Sequence, residues 1–169
     1  MRKVFLSALL VTIFAACVPE DKTIEGLETF TVTRGHREGR LSYPTNPPTG
    51  GEHNPIWQNC GVYETQIAIE NAVHSMEHGA VWITYQPNLS KEEVQKLRDL
   101  VKGKAYTLVS PYLVGALEKP IYAVAWGVRV GVDSADDTRL PKFINQYMQG
   151  EQTPERGASC SGAIGNPIQ

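Results

Sequence analysis

A chain of 169 residues with 16 Lys and Arg against 18 Asp and Glu carries a formal charge of only −2. It shows no basic cluster, which argues against a nucleic-acid partner. The length suits one domain with a sizeable core, with no internal repeat and no second apolar span beyond the N-terminal one.

The chain opens as an export signal. Arg2 and Lys3 form a positive start, and Val4 to Ala16 is an apolar run of thirteen residues, too short to span a bilayer comfortably. Ala15 and Ala16 then precede Cys17, an arrangement that resembles a bacterial lipobox, although Phe14 stands where Leu is usual. The expectation is a signal peptide over 1–16 and a lipid anchor on Cys17. That anchor would hold the protein to the membrane on the extracytoplasmic face of the bacterial cell envelope. An ordinary secretory signal with an incidental cysteine is the alternative. Residues 17–29, with Pro19, Glu20, Asp21 and Lys22, read as a polar tether. Removal of 1–16 takes away Arg2 and Lys3 and no acid, leaving 14 of the 16 basic side chains against 18 acids, a charge of −4.

Export also sets the redox compartment. With Cys17 assigned to the anchor, Cys60 and Cys160 remain, and an even pair outside the cytoplasm points to a disulfide. The alternative makes Cys60 a thiolate metal ligand beside His53. The bridge would pin the C-terminal tail against the histidine-bearing front of the domain.

Residues 30–169 form the expected single domain. Its first stretch, 30–68, is rich in Pro, Gly and Asn, and Asn46-Pro47-Pro48-Thr49-Gly50-Gly51 is a strong loop signal. A long irregular segment in a compact domain is either functional or disordered. Here His53, Trp57, Cys60 and Tyr63 argue for an ordered one.

The densest chemistry lies in His74-Ser75-Met76-Glu77-His78-Gly79, which holds two of only four histidines in the chain; His36 and His53 lie upstream. On a helix, His74, Glu77 and His78 share one side and Met76 turns roughly 200° away from His74. That order, H-x-x-E-H, is the inverzincin pattern of two zinc ligands and a glutamate base. On a strand, His74, Met76 and His78 would share a face, and the thioether would shift preference toward Cu(I). Ile69, Ala72, Val73 and Met76 recur at helical spacing and Gly79 sits where a C-terminal cap belongs, so a helix is expected, with Met76 in the core.

Ala80 to Tyr85 then reads as a buried strand and Pro87-Asn88 as a turn. Ser90 with Glu93 makes a capping box for a helix over Lys91 to Lys102, with Val94, Leu97, Leu100 and Val101 as its apolar face. Strands are expected at Tyr106 to Ser110 and Ile121 to Val130, the latter containing Trp126-Gly127 as a bulge or a close backbone approach. Pro141 opens a last helix ending at Gly150, and 151–169 is an irregular tail carrying Cys160. The order implies an α+β fold: a small mixed or antiparallel sheet with two to three helices packed on one face, plus long ordered loops.

His36, the run Asn46 to His53, Asn59-Cys60-Gly61-Val62-Tyr63, His74 to Gly79, Ala125-Trp126-Gly127 and Pro154-Glu155 together resemble the bacterial DUF3105 family. Gly51-Glu52 and Met76 depart from its commonest residues. The resemblance covers roughly 30 to 165 and implies no activity. It does imply an exported or membrane-tethered protein in which His36, His53, His74, Glu77 and His78 form the polar core of one site.

These readings lead to a cell-envelope lipoprotein that binds a transition metal, copper first and zinc second, as chaperone, buffer or delivery protein. The ligands would be His53, His74 and His78, with His36 as a fourth ligand or a supporting group. Glu77 would orient an imidazole or coordinate, and Met76 is a weaker candidate. Its partner would be an envelope protein that gives or receives the metal. A zinc hydrolase with Glu77 as general base is one alternative. The other is a lipoprotein without metal, an assembly or binding module in which the histidines join Glu77 and Trp57 in a hydrogen-bonded core.

Overall fold

Short, largely apolar runs through the middle of the chain assemble one six-stranded layer, seen in a computed structural model that describes residues 22–168. The expected signal peptide over 1–16 and the lipidation site Cys17 lie outside the described residues. In chain order the elements are β1 (Glu28–Thr29), β2 (Arg34–His36), β3 (Gly51–His53), β4 (Gly61–Val62), α1 (Ile69–Glu77) and β5 (Val81–Tyr85). There follow α2 (Lys91–Leu100), β6 (Thr107–Pro111), β7 (Ile121–Ala125), β8 (Val128–Val132) and α3 (Arg139–Tyr147). The main sheet has the order β1-β8-β7-β5-β6-β4, and β2 and β3 form a separate two-stranded sheet. β4, β5 and β6 run parallel, whereas β7, β8 and β1 join antiparallel, so the sheet is mixed and the class is α+β.

Every residue of β5 is buried, because helices cover both of its faces. Val81, Ile83 and Tyr85 point into a cluster with Leu97 and Val101, and with Leu140, Phe143 and Ile144 of α3. Trp82, between them, points the other way, into a cluster with Ala72, Val73 and Met76 of α1. Thus α2 and α3 share one face, and α1 lies across the opposite one.

Three local expectations change. The strand expected over 121–130 is instead a hairpin: Ala125 pairs with Val128, and Trp126-Gly127 is its two-residue turn, with Gly127 at φ +73°. Apolar residues run from Ile121 up to the turn and resume at Val128 directly after it, so hydrophobicity does not mark it. The tether over 17–29 ends earlier than expected. Ile24 is buried in the core, and Glu28 and Thr29 pair with Arg129 and Val128. Two strand residues in a polar segment carry too little pattern to be seen in advance. The ordered loop of 30–68 contains β2, β3 and β4, each only two or three residues long.

Candidate metal centre

α1 carries the first part of the site, and its C-terminus is closed by local chemistry. Gly79 at φ +102° donates its N–H to the Met76 carbonyl, and Ala80 donates to Ser75, a Schellman closure. A Cβ at Gly79 would lie 2.3 Å from Gln149 Nε2, so any other residue there would be strained at this φ and would displace the Gln149 side chain. Gln149 donates to the His78 carbonyl at 2.6 Å and accepts from the Gly157 N–H at 2.8 Å, tying the helix end to the tail.

Polar residues on α1 bind the preceding loop. Ser75 Oγ donates to the Gln58 carbonyl and accepts from the Gln58 N–H; Asn71 Nδ2 donates to the Ile56 carbonyl. The segment after β3 is thereby laid along the helix, which brings His53 and Trp57 to it. β2 then pairs in parallel with β3 in the register His36 to His53, Arg34 to Gly51. Residues 34 and 36 share one face of β2 by strand alternation, so Arg34 and His36 both meet α1.

The result is a group in which one ligand atom from each of His36, His53, His74 and Glu77 lies within 4.8 Å of every other. The ring of His36 stacks on His74 at 5.0 Å and meets His53 edge-on at 4.9 Å. His53, His74 and Glu77 are buried, whereas the His36 side chain is 48 % exposed. His78 stands beside this group, its Nε2 3.0 Å from His74 Nε2 and 3.7 Å from Glu155 Oε2. Met76 is wholly buried in the apolar cluster, as a helix requires. Cys60 is bonded to Cys160, with a Cα–Cα distance of 5.3 Å, so the expected bridge is present and Cys60 offers no thiolate.

The proton positions follow from the backbone. Nδ1 of His53, His74 and His78 faces the carbonyl oxygens of Gly51, Asn54 and Ser159 at 2.8, 2.6 and 2.5 Å. A carbonyl only accepts, so each Nδ1 carries a proton and donates it. In a neutral ring each Nε2 is then left with its lone pair. His53 Nε2 faces Glu77 Oε2 at 3.0 Å, and His74 and His78 face each other through Nε2. Lone pair against lone pair is repulsive, and a cation among them, whether a proton or a metal ion, turns these contacts attractive. Metal-ligating imidazoles are commonly held in this way, with the far nitrogen donating to a carbonyl.

Burial on its own would raise the Glu77 pKa. The charge of His53 and the hydrogen bond and charge of Arg34 outweigh it, so the carboxyl lies below its ordinary value. Burial pushes His74 down, against the Asn54 carbonyl, and the neighbouring histidines push it further. Arg34 Nε donates to Glu77 Oε1 at 2.9 Å and its Nη2 to Glu155 at 3.0 Å. The indole of Trp57 lies against His74 and His78, with ring centroids 5.9 and 5.2 Å away, and its buried Nε1 has no hydrogen-bond partner among the described residues. Trp126 of the hairpin turn meets His53 edge-on at 5.8 Å.

Sequence reasoning did not assign roles to Arg34, Gln149, Glu155 or the Ser159 carbonyl. The Arg-x-His spacing on a strand is a usable signal for Arg34, and Glu155 lies in the Pro154-Glu155 motif that the family resemblance includes. Nothing local marked the other two. Residues 36–162 match the model of a family described as a protein of unknown function (DUF3105). No curated protein and no solved structure matches the chain.

Proposed function

The chain belongs to the DUF3105 family, whose description names no activity, and from its site we propose that it is a transition-metal-binding lipoprotein of the cell envelope. It takes copper first and zinc second, and it chaperones, buffers or delivers the ion. The carrying observation is the set of inward lone pairs: three imidazoles fixed by backbone carbonyls and aimed at one another and at a buried carboxylate. One metal ion would relieve the His53–Glu77 contact and take up the His74 lone pair together, whereas a proton serves one contact at a time. Imidazole donors suit copper and zinc alike, and the general affinity order places copper ahead when both are present. His36, His53, His74 and Glu77 would be the ligands, with His78 supporting His74. The anchor at Cys17 and the extracytoplasmic location rest on the N-terminal sequence.

No specific observation favours the hydrolase reading. The test is elemental analysis of protein purified from its native host, followed by calorimetric titration of the metal-free chain with Cu²⁺ and Zn²⁺. Bound metal and near-stoichiometric uptake, lost in His53→Ala, are expected. Metal-free native protein and no uptake by the wild type would overturn the proposal.

A further inference from the structure

The four donors that can share an ion are held unequally. His53 is 0 % exposed and its Nδ1 is tied to Gly51; His74 is 4 % exposed and tied to Asn54. Glu77 is 1 % exposed and fixed by Arg34. None of these three can swing away from an ion without breaking the hydrogen bond that places it.

His36 differs in every respect. Its side chain is 48 % exposed, and its ring is placed only by stacking on His74, an edge contact with His53 and a 3.6 Å approach to Glu77. No hydrogen bond among the described residues fixes either of its nitrogens. Its strand is three residues long and belongs to a two-stranded sheet, the least supported kind of element. Its chain neighbour Arg37 pairs with Glu52 across the same small sheet, 59 % and 53 % exposed, an ion pair that can change partners at little cost.

We propose that His36 is the exchangeable ligand of this site, the edge through which the ion arrives and leaves, and that its place is taken by an imidazole or thiolate of a partner protein. The inference rests on the metal-binding reading and adds the direction of transfer to it. In the exchange step the metal–Nε2 bond to His36 breaks while a nitrogen or sulfur donor of the partner forms one bond to the same ion. Each ligand keeps its own electron pair, the ion keeps its oxidation state, and the buried three hold it until the partner has engaged. The half-exposed His36 ring leaves a solvent-facing edge for such a donor, whereas His53 and His74, 0 % and 4 % exposed, do not.

The experiment uses the full chain as wild type, His36→Gly and His53→Gly, each titrated with Cu²⁺ with and without free imidazole. The wild type in the same imidazole serves as reference. His36→Gly is expected to bind about 10- to 100-fold more weakly, at least the loss seen when an outer partner of a ligand is removed, and free imidazole should restore it. Its release of copper to a chelator should quicken by a similar factor. His53→Gly should lose the ion, and imidazole should not restore it because that cavity is closed. If His36→Gly misfolds by circular dichroism, His36→Gln is read for affinity and release rate in its place. Wild-type protein that takes up no ion overturns the metal reading itself. A binding wild type with unchanged affinity in the His36 variant, or with equal rescue at both positions, overturns only the exchange proposal.

Discussion

Glu77 and Met76 are neighbours in the chain with opposite fates, and the helix decides which is which. The turn of α1 sends Glu77 toward His53 and Arg34 and sends Met76 into the apolar cluster with Trp82 and Leu108. A buried carboxylate is tolerated here because Arg34 and the imidazoles compensate its desolvation. A buried thioether needs no partner and fills space. Met76→Ala should therefore cost about 2–5 kcal/mol in urea denaturation while leaving the copper stoichiometry of the folded protein unchanged. A lost binding site in a variant that still folds would place Met76 among the ligands.

Elements in this protein are joined by single polar side chains that reach far along the chain. Ser90 caps α2 by accepting the Glu93 N–H at 3.2 Å, but Glu93 does not complete the expected capping box. Its carboxylate crosses instead to the loop before α3, accepting from the Ala135 N–H at 2.6 Å and from Ser134 Oγ. The backbone hydrogen bond from Ala135 holds its pKa below the ordinary 4.5, against a lesser desolvation effect. A lowered folded pKa contributes stability above the unfolded value, and that stability is lost as pH falls through the folded one. Melting temperature should thus decline below about pH 4.5, and more shallowly in Glu93→Gln. Arg129 plays a like part for β1. It forms a two-pronged pair with Glu28, donates to the Asn46 carbonyl and lies over the Phe30 and Tyr122 rings. Arg129→Ala should destabilise by about 2–3 kcal/mol, somewhat less than a fully buried pair because Glu28 reaches solvent, as read from chemical denaturation.

At the scale of the whole molecule, the tail beyond α3 completes the site. Glu155 donates its N–H to the Glu77 carbonyl and its carboxylate engages Arg34, while Ser159 holds His78. The Cys60–Cys160 bridge, spanning a separation of 100 residues, fastens that tail beside β4. In the chain-entropy model such a bridge contributes up to about 4.7 kcal/mol. A Cys60→Ala, Cys160→Ala variant should melt on the order of 10 °C lower. It should also bind copper more weakly, because Glu155 and Ser159 lose part of their placement. Tight wild-type affinity in that variant would show that the tail's hydrogen bonds suffice without the bridge.

Local chemistry was enough to announce the helix that bears His74 and Glu77, the strand that follows it, the Ser90 cap, the α+β class and the pairing of Cys60 with Cys160. Each of these depends on neighbours in the chain, on the period of apolar residues, or on there being only one partner available. The family resemblance also implies that His36, His53, His74, Glu77 and His78 belong to one site. Packing decided the rest. It set α1 on the sheet face opposite α2 and α3, split one apolar run into the β7–β8 hairpin, and left the His36 side chain half-exposed at the edge of the site. It also coupled Arg34 to Glu77 across 43 positions and His78 to Ser159 across 81. Such contacts form between residues that share no local pattern, because a strand register and a helix face must first bring them within hydrogen-bond reach.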